Sequence, residues 1–389
     1  MVAAPVQTMQ GIEVPASSVN PELFFRMTRR LTVTQKTFTY AGLGLTDNVQ
    51  VLQTGIVSGL TINATGSVVV TPGAGTVATT AKWPYDLLKV ARFSANGQSN
   101  LINAGGADLK AREIMQRGDL TDRGVVKAIG GAHPGTAVNQ GTLSLEEETW
   151  GLGQSVTGVP SGTYGFDLEW YVPVAYDDLN LMGAIFAQTS STDLNLALDW
   201  APVSDLFTTT GAATVAVNMT VVVSATLYTI PVAGNNADVI IPDLSVFHSL
   251  ISTRFAAVGN STNEVRLSGQ GVGRQLLRLW FRTFSNGVPL PVNATNYGQI
   301  GWRYGGNDTP ELYASGKALS YRTEKTFSSA LGKAGYAVLD FCNENAFRDS
   351  IDMGTASELR FLADIPSGVA LVNPYIQYVQ ETLSAGASV

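Results

Sequence analysis

Charged side chains are scarce in this 389-residue chain: Asp, Glu, Lys and Arg make up 14% of it, where about 25% is usual. A chain so poor in charge must cover its surface with Ser, Thr, Asn, Gln and Gly, or with other subunits. What charge there is has the wrong sign for nucleic acid. The net charge is −7, and a nucleic-acid binder carries a basic patch or stripe. The basic concentrations are Arg26–Arg30 and Lys110–Arg123, the latter mixed with acids, so no direct nucleic-acid binding is expected.

Cysteine and histidine are nearly absent. The single Cys342 excludes an internal disulfide framework and a Cys-rich metal site, and reads as a buried thiol on a strand. His133 and His248 stand 115 residues apart (248 − 133), too far for a His-x-His metal pair. A Ser-His-Asp arrangement would need one of them, and no Gly-x-Ser-x-Gly elbow is present. Gly271-Val-Gly-Arg-Gln-Leu276 starts like a dinucleotide loop, but it lacks the third Gly and enters a strand rather than a helix. Glu146–Glu148 and Asp177-Asp178 read as solvated turns before a calcium site or a glycosidase pair. The sequence thus points to no catalytic residue, no cofactor and no metal.

Long apolar runs are missing too. No stretch of 18 apolar residues occurs, so no transmembrane helix is expected. Met1–Asn20 has neither a basic leader nor a compact apolar block and does not read as a signal peptide, which suggests folding in a cytoplasm.

What is present is β structure. Apolar residues make up 45% of the chain and glycines number 40. Thr32–Thr39 alternates, and Gly59–Thr71 is β-branched with an expected turn at Thr65-Gly66. Further strands are predicted at Tyr164–Val174, Val215–Ile230, Val265–Leu267, Leu276–Phe284, Tyr336–Phe341 and Ala370–Val379. Helices are predicted at Asp108–Gly118, capped by Asp108, and at Pro242–Ile251, with Leu244, Phe247 and Ile251 on one face. Gly118–Gly162 reads as an elaborated loop.

The chain also echoes itself. Tyr85–Gly97 resembles Gln275–Gly287, each ending in Asn-Gly; Tyr164–Trp170 resembles Tyr336–Phe341; Thr192–Pro202 resembles Ala356–Pro366. The offsets are 189 (276 − 87), 172 (336 − 164) and 164 (356 − 192) residues, too long for a solenoid and suited to a duplicated domain. Short strands with few helices point to an all-β fold of two tandem eight-stranded antiparallel jelly rolls with a few short helices. The expected division is an arm at 1–30, a first jelly roll at 31–207, a second at 208–381 and a tail at 382–389. In the arm, Phe24 and Phe25 form an adhesive face beside Arg26, Arg29 and Arg30. This suits docking on a neighbouring subunit or a membrane surface, the alternative being packing on its own domain.

Phe166–Gln188, with its Val-Pro-Val-Ala-Tyr block, resembles a stretch of tectivirus major capsid proteins, as do Leu194–Trp200, Val239–Leu250 and Leu277–Gly287. The resemblance covers about a quarter of the chain. It implies two jelly rolls standing upright in a virion shell, with three copies forming a pseudo-hexameric homotrimer that tiles an icosahedral lattice over an internal membrane. The partners it implies are neighbouring capsomers, penton and minor capsid proteins, and the membrane through the arm. Two other readings are a trimeric spike or receptor-binding protein and a carbohydrate-active jelly-roll enzyme.

Overall fold

The structure is a computed structural model that describes residues 24–25, 28–95, 97–117, 157–178, 180–187, 193–229, 244–269, 273–304, 308–342, 350–354 and 358–385, and short strands at 7–9, 12–14, 125–126, 132–133 and 136–137. Arg26 and Glu146–Glu148 lie outside the described residues.

Eight main strands build the two sheets of the first unit, with shorter strands at Val77–Thr79, Val125–Val126, Ile185–Phe186 and Phe207–Thr209 beside them: β1 (Arg29–Ala41), β2 (Thr46–Gln50), β3 (Ile56–Thr71), β4 (Leu88–Ala95), β5 (Gln98–Ala104), β6 (Gly162–Val172), β7 (Leu194–Trp200) and β8 (Thr214–Thr229). They pair antiparallel into two sheets, ordered β1-β8-β3-β6 and β2-β7-β4-β5. The second unit repeats the plan. It comprises β9 (Val246–Ala256), β10 (Ser261–Arg266), β11 (Arg274–Ser285), β12 (Ile300–Tyr304), β13 (Asp308–Tyr313), β14 (Ala337–Asp340), β15 (Arg360–Ile365) and β16 (Tyr375–Ala385). Its sheets are β9-β16-β11-β14 and β10-β15-β12-β13. Counted within each unit, both therefore run 1-8-3-6 and 2-7-4-5, the order of a jelly roll. The helices α1 (Gly106–Arg117) and α2 (Gly316–Thr326) follow the fifth strand of their respective units.

Alternation builds the barrels. On β8, Val217, Met219, Val221, Val223, Ala225 and Leu227 point into the first core while Asn218 and Thr220 face outward. Trp83, Phe93, Phe166, Trp170 and Trp200 fill that core, and Phe281, Tyr297, Phe361 and Tyr378 the second. The units are also joined edge to edge. β5 pairs in parallel with β9 over two residues, Ile102 with Leu250 and Asn103 with Ile251, making one sheet continuous across the molecule.

Several expectations need correction. Thr214–Thr229 is the closing strand of the first unit, paired to β1 and β3, so the expected break at 207/208 falls one strand too early. His248 lies on strand β9; the helical spacing of Leu244, Phe247 and Ile251 misleads because this strand is covered on both faces at its start. β16 runs through the expected tail start to Ala385. No turn occurs at Thr65-Gly66. Gly66 sits within β3, where a Cβ would stand 2.3 Å from the Asn218 carbonyl oxygen, so the glycine serves close packing. Of the three echoes, the second and third match equivalent strands, β6 with β14 and β7 with β15. The first matches β4 with β11, the fourth strand of one unit with the third of the other.

Trp280 lies on β11, yet its fully buried indole belongs to the first unit's hydrophobic cluster. We expect Trp280→Ala to cost about 3–5 kcal/mol, with both units still unfolding in a single calorimetric transition.

Candidate functional site

Two places combine buried anchors with charge. The first is the seam between the units. Helix α1 carries Asp108, Lys110, Arg112 and Glu113, all of which are at most 8% exposed. Such burial is unusual for charged residues unless they are paired. Arg112 donates from Nε to Glu381 Oε1 on β16 at 2.6 Å, and from Nη2 to the Tyr176 carbonyl at 3.0 Å. Arg278 on β11 donates from Nε to Asp340 at 3.0 Å and stands 3.6 Å from the second Glu381 oxygen. Asp108 accepts from Tyr336 Oη at 2.9 Å and Gln377 Nε2 at 2.8 Å, with Arg282 3.5 Å away. Arg282 also donates to Asp86 at 3.5 Å. Around these polar links Leu250, Trp280, Tyr336, Val338 and Val379 of the second unit join the first unit's apolar cluster.

His248 closes the network. Its Nε2 lies 3.1 Å from Glu381 Oε1 and its Nδ1 2.8 Å from the Pro173 carbonyl, so both ring nitrogens face oxygen acceptors. A His–Glu–Arg constellation can move protons when substrate reaches it. Here the His248 and Glu381 side chains have no exposed surface and Arg112 only 2%, so the arrangement is a latch between barrels. Burial pushes the Glu381 carboxyl up, but the Arg112 charge, the His248 hydrogen bond and Arg278 outweigh it and hold the group well below the usual carboxylate range. Burial raises Tyr336 well above its ordinary value, which keeps the phenol a donor to Asp108. Burial also raises Asp86, with Arg282 pulling the other way.

The second place is the arm's root. Phe24 is fully buried against Ile56, Ala175, Leu181, Ala184 and Tyr228 of its own chain, and Thr28 donates from both backbone N and Oγ1 to the Phe24 carbonyl. Phe25 is half-buried, its ring 5.5 Å from that of Tyr228. Phe24 thus packs on its own subunit, the alternative left open by the sequence, and is no outward-facing residue. Arg29 and Arg30 begin β1 and are exposed, and Arg30 reaches Asp178 at 3.7 Å. Asp177 accepts from the Asn180 backbone N at 2.6 Å, so the Asp177-Asp178 pair serves a turn and the arm. His133 pairs through its backbone with Thr136, and Cys342 is buried. Among the described residues no group of three His, Cys, Asp or Glu side chains could hold a metal, and no helix is long and apolar enough to cross a membrane.

Sequence reasoning missed the seam, since Arg112 and Glu381 lie 269 residues apart. The one available signal was a charged helix interrupting a charge-poor β chain. The latch carries a pH signature. With its folded pKa depressed, Glu381 stabilises the fold above its unfolded value near 4.5, and that contribution is lost as pH falls below it. Glu381→Gln should cost about 3–5 kcal/mol at pH 7 by stranding buried cations. The Tm gap between wild type and variant should narrow steadily on acidification below pH 4.5.

No family model and no curated protein sequence matches the chain. Solved structures do. The crystal structure of the STIV MCP matches with a TM-score of 0.63 at 15% identity, over 93% of this chain and 100% of that one. A chain in the atomic structure of Sulfolobus Turreted Icosahedral Virus matches at 0.63 and 16%, over 92% and 91%. The Faustovirus major capsid protein matches at 0.57 and 10%, over 92% and 91%. What the chain shares with these viral proteins, over more than nine-tenths of its length, is the double jelly-roll fold.

Proposed function

We propose that this chain is the major capsid subunit of a tailless icosahedral virus, assembling as a homotrimer whose six barrels form a pseudo-hexamer. The observation that carries this reading is the double jelly roll itself, matched over more than nine-tenths of the chain by viral capsid chains of nearly equal extent. The latch adds to it. Two barrels joined by buried ion pairs and a shared apolar cluster make a rigid tile, as a shell requires, and the His248–Glu381–Arg112 constellation is sealed from solvent.

Within this proposal the partners are neighbouring capsomers, with penton and minor capsid proteins at special positions. The arm, held at its root by Phe24, supplies a contact to a neighbour or to an inner membrane through Phe25, Arg26, Arg29 and Arg30. Their mixture of aromatic and basic groups suits an anionic lipid surface or an acidic subunit edge. Structural work of this kind needs no catalytic residue or cofactor.

The purified protein should run as a trimer in native mass spectrometry at micromolar concentration and show hexagonal outlines in electron micrographs. A persistent monomer would count against the reading. The combined variant Phe25→Ser/Arg26→Ser/Arg29→Ser/Arg30→Ser, which leaves Phe24 in place, should leave trimers intact but block shell formation or membrane contact; normal particles from that variant would remove the arm from the account.

A further inference from the structure

One loop of the first unit touches both the arm and the seam. It is the stretch 173–184, which leaves the end of β6. Its residues Ala175, Leu181 and Ala184 wall the pocket that holds the Phe24 ring. Two backbone carbonyls of the same stretch face the seam. The Pro173 carbonyl lies 2.8 Å from His248 Nδ1, and the Tyr176 carbonyl accepts from Arg112 Nη2 at 3.0 Å and from Gln116 Nε2 at 2.8 Å. The Tyr176 ring packs with Val246, Leu277, Cys342 and Leu383 of the second unit. Arm and latch thus meet at neighbouring residues, Ala175 serving the first and Tyr176 the second.

Backbone preference alone does not give the loop this shape. Leu181 has a φ of 53°, in the left-handed region that a bulky side chain rarely enters, and it is fully buried. Gly183 has a φ of 85°, and a Cβ there would stand 2.7 Å from the His248 Cβ, so the loop lies directly against β9. Tyr176 N donates to the Met182 carbonyl at 2.7 Å, and Ala184 N to that of Leu181 at 2.9 Å. A strained conformation persists where its surroundings over-determine it. Here Phe24 presses on the loop from one side and the seam holds it from the other. Arg30, where the arm joins β1, adds its 3.7 Å ion pair to Asp178.

We infer that this loop is a relay: the seated Phe24 sets the loop, and the loop sets the acceptors on which Arg112, Gln116 and His248 close. An arm drawn off its pocket lets Leu181 leave the left-handed region and withdraws both carbonyls from the seam. Coupling of this kind is reciprocal, so loosening the seam side also frees the arm. The barrels are therefore held most firmly while Phe24 stays on its own chain. The relay belongs to the single chain and goes beyond the shell reading, which stands or falls separately.

The chain's one thiol reports on the relay, since Cys342 is fully buried in the cluster that Tyr176 joins. In Phe24→Ala, Ellman's reagent should label Cys342 at least about tenfold faster than in wild type. That rate should vary little with urea below the unfolding transition, the mark of local opening rather than global unfolding. Gln116→Ala, at a half-buried position, should speed labelling in the same urea-insensitive way. By reciprocity it should also quicken tryptic cleavage between Arg26 and Arg30. This second variant carries the test if Phe24→Ala does not fold. Unchanged labelling in a folded variant, labelling that rises with urea as steeply as unfolding does, or unchanged arm cleavage in Gln116→Ala overturns the relay.

Discussion

The covering of the β9-β16-β11-β14 sheet on both faces is the constraint from which the rest of the structure follows. An antiparallel sheet ordinarily keeps one face in water. Here β11 is buried at every position from Gln275 to Phe284. Leu279 and Phe281 turn into the second core while Trp280 turns into the first, so the second unit cannot be a water-exposed barrel on that side. The first unit and helix α1 supply the cover. Ion pairs laid across this apolar contact add little net stability after desolvation, but a misplaced barrel would strand Arg112, Arg278 and Glu381 without partners.

Duplication acquires its meaning from that contact. Two units of one plan meet by dissimilar surfaces, a helix and a fifth strand on one side and a first strand and sheet face on the other. The low charge content fits the same picture, for the open face of the first unit is rich in Thr and Asn, which accept either water or a neighbouring subunit at small cost.

Much of the fold was legible in the sequence because alternation and turn residues are local signals. The strands at 164–174, 265–267, 276–284 and 336–341 and the helix near 108–118 all appear close to their expected places. Legibility failed where burial ceased to be one-sided. The start of β9 is covered on both faces, and its apolar spacing passed for a helix. The unit boundary slipped because a 13-residue connection with its own helical turn and short strand separates β7 from β8, and nothing local says that β8 closes the earlier barrel against β1. The first echo misled for a simpler reason: a buried strand ending in an Asn-Gly turn is common currency in such a fold, and the true repeat lies in strand order. The seam was illegible altogether, since pairs such as Asp108 with Gln377 exist only after both barrels have folded. Phe24 and Phe25 were legible as adhesive, but not what they adhere to.

The central claim is that the first unit and helix α1 cover the β9-β16-β11-β14 sheet, so that the two barrels open only together. Native-state hydrogen exchange of the full chain measures it directly. The account predicts that the amides of α1 and of β11 exchange only through global unfolding, with one shared free energy. An α1 that exchanges at a clearly lower free energy than β11 would contradict it.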